Sequence, residues 1–127
     1  MTTSQATILI VEDNPLNLEL ATDLLTVAGY SILQARTGEE GLRLARAESP
    51  ALILMDLRMP GLDGYATLRA LKADPRTTMI PTVALTAQAM AGDRDAALAA
   101  GFDDYISKPI DTHTFSQTVA RVLASAA

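Results

Sequence analysis

The sequence contains no cysteine and no tryptophan, and its single histidine is His113. Without cysteine there can be no disulfide, thiolate zinc site or cysteine nucleophile. His113 has no acidic partner or metal cluster near it in the sequence, so it is read as a surface residue in the first turn of the last helix. Aromatics are scarce, with three Tyr and two Phe, and the core must therefore be aliphatic. Hydrophobic residues still make up 49% of the chain, which excludes disorder. No apolar run approaches the ~18 residues of a membrane helix. The segment Met1 to Thr7 carries no basic residue and cannot be a secretory signal. Together with the absent cysteine, this leads us to expect a cytoplasmic protein. Basic clusters are also lacking, and the net charge is −5, so a general nucleic-acid surface is not expected. The pair Arg43 and Arg46 is read as a solvated helix face. At 127 residues the chain suits one domain, 1–127, with no second one.

Against these absences stand short continuous apolar runs: Ile8 to Val11, Leu52 to Met55, Thr82 to Leu85 and Tyr105-Ile106, with Tyr30 to Ala35 as a weaker candidate. Unbroken runs suit strands buried on both faces, as in a parallel sheet. Helical segments lie between them. Asn14-Pro15 caps and opens a helix whose apolar residues Leu16, Leu20, Leu24 and Val27 follow at helical steps until Gly29. Thr37-Gly38-Glu39-Glu40 reads as a capping box for a helix that runs toward Glu48 and stops before Pro50. Asp63 can cap a helix to Ala73, Met90 to Ala100 forms an Ala-rich one, and Asp111 can cap the last, with Phe115, Val119, Val122 and Leu123 on one face. Five β-α alternations imply an α/β fold, doubly wound, with helices on both faces of a five-stranded parallel sheet.

In such sheets ligands bind beyond the carboxyl ends of the strands. Those ends carry Glu12-Asp13, Asp56, Thr86 and Ser107-Lys108-Pro109. Crowded carboxylates are costly unless a positive charge joins them. A hard divalent cation such as Mg²⁺ (or Mn²⁺) takes carboxylate oxygens and pairs naturally with a phosphate. Lys108 offers a point charge for a phosphoryl oxygen and Thr86 a hydrogen-bond donor. Phosphoryl transfer needs mainly positioning and charge neutralisation, and an Asp can be the covalent acceptor. Singly, each residue has a plainer explanation: acids favour helix starts, Asp56 could belong to the turn before Met59-Pro60-Gly61, and Thr is common in strands. Their joint placement at four strand ends is what argues for a site. Met55 and Met59 are read as space-filling.

The segments Ile8-Leu9-Ile10-Val11-Glu12-Asp13-Asn14, Leu54 to Gly64, Ala84-Leu85-Thr86-Ala87 and Tyr105-Ile106-Ser107-Lys108-Pro109 resemble, in order, the four signatures of response-regulator receiver domains. The resemblance spans almost the whole chain and is greatest to single-domain cell-cycle-type regulators and the receiver modules of hybrid histidine kinases. It implies a flavodoxin-like (βα)5 sheet of order 2-1-3-4-5. It further implies that Asp56 is the phosphoacceptor, taking its group from the phosphohistidine of a histidine kinase or histidine phosphotransfer protein. By the same resemblance, Asp13, Asp56 and the backbone carbonyl of Arg58 ligate Mg²⁺, Glu12 acts mainly through water, and Lys108 and Thr86 bind phosphoryl oxygens. Ala87 leaves room for the group, a cis Lys108-Pro109 peptide aims the lysine, and Arg58 and Gln88 tune phosphoryl lifetime. Thr86 and Tyr105 form the implied switch pair, although an aromatic at a strand end is by itself often partly buried core.

The expected product is a signalling module of a two-component or phosphorelay system that catalyses only its own phosphorylation and dephosphorylation. Its Ala-rich helix from Met90, last strand and last helix are expected to change on phosphorylation and meet a downstream protein target. No output domain follows Ala127, so DNA binding by this chain is not expected. Three other functions fit less well. A haloacid-dehalogenase-type phosphatase needs an acid two residues after its nucleophile, where Arg58 stands, and cap segments for which there is no room. A flavodoxin-type carrier needs a Gly/Ser/Thr-rich cradle after the first strand, where Glu12-Asp13-Asn14 would repel phosphate. A scaffold that is never phosphorylated gains no support, because all the required residues are present.

Overall fold

The longest apolar runs become central strands because they bury both faces. In the computed structural model, which describes residues 6–59, 61, 63–86, 93–108 and 110–126, strands β1 (Thr7–Val11), β2 (Ser31–Ala35), β3 (Leu52–Asp56), β4 (Thr82–Thr86) and β5 (Asp104–Ser107) alternate with five helices. These are α1 (Pro15–Val27), α2 (Gly38–Glu48), α3 (Gly64–Ala73), α4 (Asp93–Ala100) and α5 (Phe115–Ala126). The sheet is parallel throughout, in the order β2-β1-β3-β4-β5.

Alternate residues of the central strands feed two cores. Ile8, Ile10, Leu52, Leu54, Val83 and Leu85 pack with α1 and α5 through Leu18, Leu25, Phe115 and Val119. Their neighbours Leu9, Val11, Ile53, Met55 and Ala84 pack with α2, α3 and α4 through Ala45, Leu68, Leu71 and Ala97. Every residue of β3 and β4 is buried, whereas the edge strands β2 and β5 are only partly so. This is why those two were the weakest runs in the sequence.

Capping follows the sequence closely. Asn14 Oδ1 accepts from the backbone N–H groups of Leu16 and Asn17, Thr37 Oγ1 from Glu40, and Asp63 Oδ1 from Ala66. Glu40 closes its box by accepting from Arg36 N at 2.9 Å. Arg43 and Arg46 are exposed as expected, but Arg46 also pairs with Asp74 at 2.9 Å, tying α2 to the end of α3.

Two expectations are corrected. The buried stripe of α1 is Leu18, Ala21 and Leu25; of the apolar residues read at helical steps, Leu24 packs partly buried against that core, whereas Leu16 is 75% and Val27 88% exposed, and Leu20 also lies at the surface. The helix carries apolar residues around most of its girth, so two stripes satisfied the same spacing, and the sheet selected the one that includes a small residue. The last helix begins at Phe115. Asp111 instead organises the preceding turn, accepting from His113 N through Oδ1 and from the Thr114 and Phe115 N–H groups through its carbonyl. His113 is exposed in that turn, outside the helix. The expected helix start at Met90 lies outside the described residues.

The corrected face can be tested by denaturant unfolding. Leu25→Ala should cost about 2–5 kcal/mol through cavity formation. Leu16→Ala should stay within about 0.5 kcal/mol of the parent, as for a surface site.

Candidate functional site

Register brings the acids together. Val11 pairs with Met55, so the residues that follow, Glu12 and Asp56, leave neighbouring strands side by side. The ladder continues past the strands: Glu12 N donates to Ala35 O at 3.0 Å, Leu57 N to Leu85 O at 2.9 Å, and Lys108 N to Thr86 O at 2.7 Å. These bonds fix all the strand ends in one layer.

Glu12 and Asp56 are buried and Asp13 is half-buried, and one carboxylate oxygen from each lies within 4.8 Å of the others. Lys108 Nζ sits 2.6 Å from Glu12 Oε1 and 3.3 Å from Asp56 Oδ2. Its contact to Glu12 Oε1 falls outside hydrogen-bond geometry, leaving that buried oxygen without a directional donor. Glu12 Oε2 accepts from Asn14 N at 3.2 Å, and Asp56 Oδ1 from Arg58 N at 3.0 Å. Asp13 is steadied from outside the expected set: Arg36 donates to its backbone carbonyl at 3.4 Å.

The Glu12 carboxyl is pushed up to about 7 from 4.5. Burial is the main cause and hydrogen bonding to Asp56 adds to it, while Lys108 pulls the other way. Such a group repays a hard cation, which stabilises the ionised form. An all-oxygen donor set with a buried oxygen lacking a directional donor fits Mg²⁺ or Mn²⁺ chemistry.

Thr86 ends β4 and is buried. It also lines an open cavity of 520 Å³ with Leu57, Arg58, Met59, Asp63 and Tyr65. Met55 and Met59 are buried, in keeping with a space-filling role. Tyr105 is half-buried against the α2–α3–α4 core. Glu12, Asp13 and Asp56 thus come together with Lys108 on two of them, Arg58 reaches Asp56 through its backbone N–H, Thr86 stands at the adjoining strand end, and Tyr105 lies on the edge strand. The expectations for Ala87, Gln88 and the Lys108-Pro109 peptide fall outside the described residues.

One acid next to Tyr105 was not foreseen. Asp104 is buried at the start of β5, bonded to Arg121 of α5 and 3.9 Å from Arg94 of α4. Its only sequence signal is an acidic pair ahead of an aromatic, which looks the same as a solvated loop.

Comparison with known proteins agrees with this geometry. Residues 8–120 match the family model of the response regulator receiver domain. The polar-differentiation response regulator DivK of Brucella ovis is 42% identical over 119 residues, covering 94% of this chain and 97% of DivK. Among solved structures, the receiver domain of a sensor histidine kinase from Pseudomonas aeruginosa PAO1 carries a magnesium ion in its active-site cleft. It superposes with a TM-score of 0.87 at 36% identity, covering 95% of this chain and 99% of that one. The receiver domain of a signal transduction histidine kinase from Syntrophus aciditrophicus gives 0.85 at 37% identity, covering 94% and 91%. With this sheet order and this cluster of acids, the chain belongs to the response regulator receiver domains of two-component signalling.

Proposed function

We propose that Asp56 is the phosphoacceptor of this receiver domain, spanning 1–127, and that its donor is the phosphohistidine of a histidine kinase or histidine phosphotransfer protein. The observation that carries the reading is Lys108 Nζ lying against both Glu12 and Asp56 inside a three-carboxylate cluster. Asp13, Asp56 and the Arg58 carbonyl would hold Mg²⁺ or Mn²⁺, with Glu12 supporting it. When bound, the cation supplies charge neutralisation for the phosphoryl oxygens.

An Asp56 carboxylate oxygen attacks phosphorus as the N–P bond of the phosphohistidine breaks. The electron pair returns to the imidazole nitrogen, which then takes up a proton. Lys108 exchanges its carboxylate partners for a phosphoryl oxygen, and the Thr86 hydroxyl donates to another. Arg58 N, bonded to Asp56 Oδ1 at 3.0 Å, fixes the orientation of the carboxylate.

The signal leaves through α4, β5 and α5, with Thr86 and Tyr105 as the switch pair and a downstream protein as reader. Helix α4 supports this role: among its described side chains only Ala97 is buried, so little apolar area holds it down. No helix among the described residues is long and apolar enough to cross a membrane.

Three measurements bear on this reading. Incubation with Mg²⁺ and acetyl phosphate should add one phosphoryl group, labile to base and to hydroxylamine, to the wild type and none to Asp56→Asn, read by intact mass. An equal adduct on both would refute Asp56 as acceptor. Hydrogen exchange with beryllofluoride and Mg²⁺ should change protection across 93–101; unchanged protection there would remove α4 from the output surface.

The third measurement follows from Glu12. Because its native carboxyl titrates near 7 rather than 4.5, the folded protein keeps a proton that the unfolded chain releases. Its stabilising contribution is therefore full below about 4.5 and is lost as pH rises through about 7. Without divalent cation, the wild type should lose stability relative to Glu12→Gln across that window, and millimolar Mg²⁺ should flatten the difference. A difference that is flat without Mg²⁺ would contradict this. Asp74, held down to about 2 chiefly by hydrogen bonds from Arg76, stabilises above 3.8 and loses that contribution as pH falls toward 2, outside the window.

A further inference from the structure

Gly64 begins α3 directly against the main chain of the candidate acceptor. A Cβ at this position would lie 2.6 Å from the Asp56 carbonyl oxygen and 2.8 Å from Leu57 Cα. Close-packed interiors do not accommodate such approaches, and neither neighbour is a side chain that could rotate aside. The contact is reinforced by a hydrogen bond from Gly64 N to Leu57 O at 3.3 Å. Gly41 offers a useful contrast, because there an added Cβ would meet Val11 Cγ2 at 2.8 Å, the tip of a side chain that can repack.

Neither side of the Gly64 contact is free to retreat. Helix α3 is anchored by the buried Leu68 and Leu71 and capped by Asp63. The end of β3 is anchored by the bond from Leu57 N to Leu85 O at 2.9 Å. Moving the Asp56 peptide would disturb both oxygens of its carboxylate at once, Oδ1 on Arg58 N and Oδ2 on Lys108 Nζ.

We infer that Gly64 is a positioning residue: its missing side chain lets α3 buttress Asp56 at the height where its carboxylate meets Glu12, Asp13 and Lys108. The inference rests on the reading of those acids as the metal and phosphoryl site. It assigns Gly64 a role in the reaction beyond that of a helix start.

The test compares wild type with Gly64→Ala, Asp63→Ala and Gly29→Ala by Mn²⁺ affinity, initial rate with acetyl phosphate and thermal midpoint. Gly29 has a φ of +104° with open space around it, so alanine there strains the backbone far from the site. Gly64→Ala should lower both Mn²⁺ affinity and rate about tenfold or more, as displaced supporting groups do. Asp63→Ala loosens the first turn of α3 without adding an atom and should lower both about threefold. Gly29→Ala should lower the thermal midpoint while affinity and rate stay within about twofold of wild type, as for a site remote from the acids.

Gly64→Ala within twofold of wild type would overturn the inference, as would losses in Gly29→Ala that match it at equal loss of thermal midpoint. If Gly64→Ala does not fold, Asp63→Ala decides, and wild-type affinity and rate in that variant would overturn it. A wild type that binds Mn²⁺ but takes no phosphoryl group removes the acceptor reading alone, and the Mn²⁺ affinities still decide the role of Gly64. A wild type that does neither removes both.

Discussion

Three carboxylates at one end of a buried sheet repel each other, and the arrangement persists because one ammonium stands between two of them. Lys108 is brought there from the edge strand β5, across β4, to reach Glu12 and Asp56, which leave β1 and β3. The compensation is partial. Burial still holds the Glu12 carboxyl near 7, and one of its oxygens lacks a directional donor. A site in this condition gains from further positive charge, which stabilises its ionised carboxylates.

The sheet makes such a cluster possible. Parallel pairing lines up strand ends instead of alternating them, so one edge gathers the chemistry while two aliphatic cores hold the layers. Hydrogen bonds that run one residue past β1, β3 and β5 keep the acids and Lys108 at a fixed spacing. Toward β5 the structure becomes lighter: α4 is lined by alanine, and Asp104 joins Arg121 and Arg94 on either side of the edge strand. A tightly held cluster at the centre thus adjoins a thinly anchored margin.

Much of this was legible in the sequence because it is encoded locally. The caps at Asn14, Thr37 and Asp63 depend on residues within one turn, and the buried strands show as unbroken apolar runs. The acids and Lys108 could be placed at strand ends once the β-α alternation was recognised. Features set by tertiary partners were harder to read. Spacing alone could not choose between the two apolar stripes of α1, since Leu18, Ala21 and Leu25 face the sheet only by virtue of what the sheet presents. The burial of Asp104 depends on two arginines distant in the chain. Nor could the letter at position 64 reveal that the Asp56 main chain occupies the space a Cβ there would need.

Of the three clustered acids, Asp56 is the one proposed to carry the phosphoryl group. Reduction of the phosphorylated protein with borohydride converts an aspartyl phosphate to homoserine, which peptide sequencing then locates. Homoserine at position 56 alone is the predicted result, and its appearance at position 13, or its absence from position 56, would contradict the account.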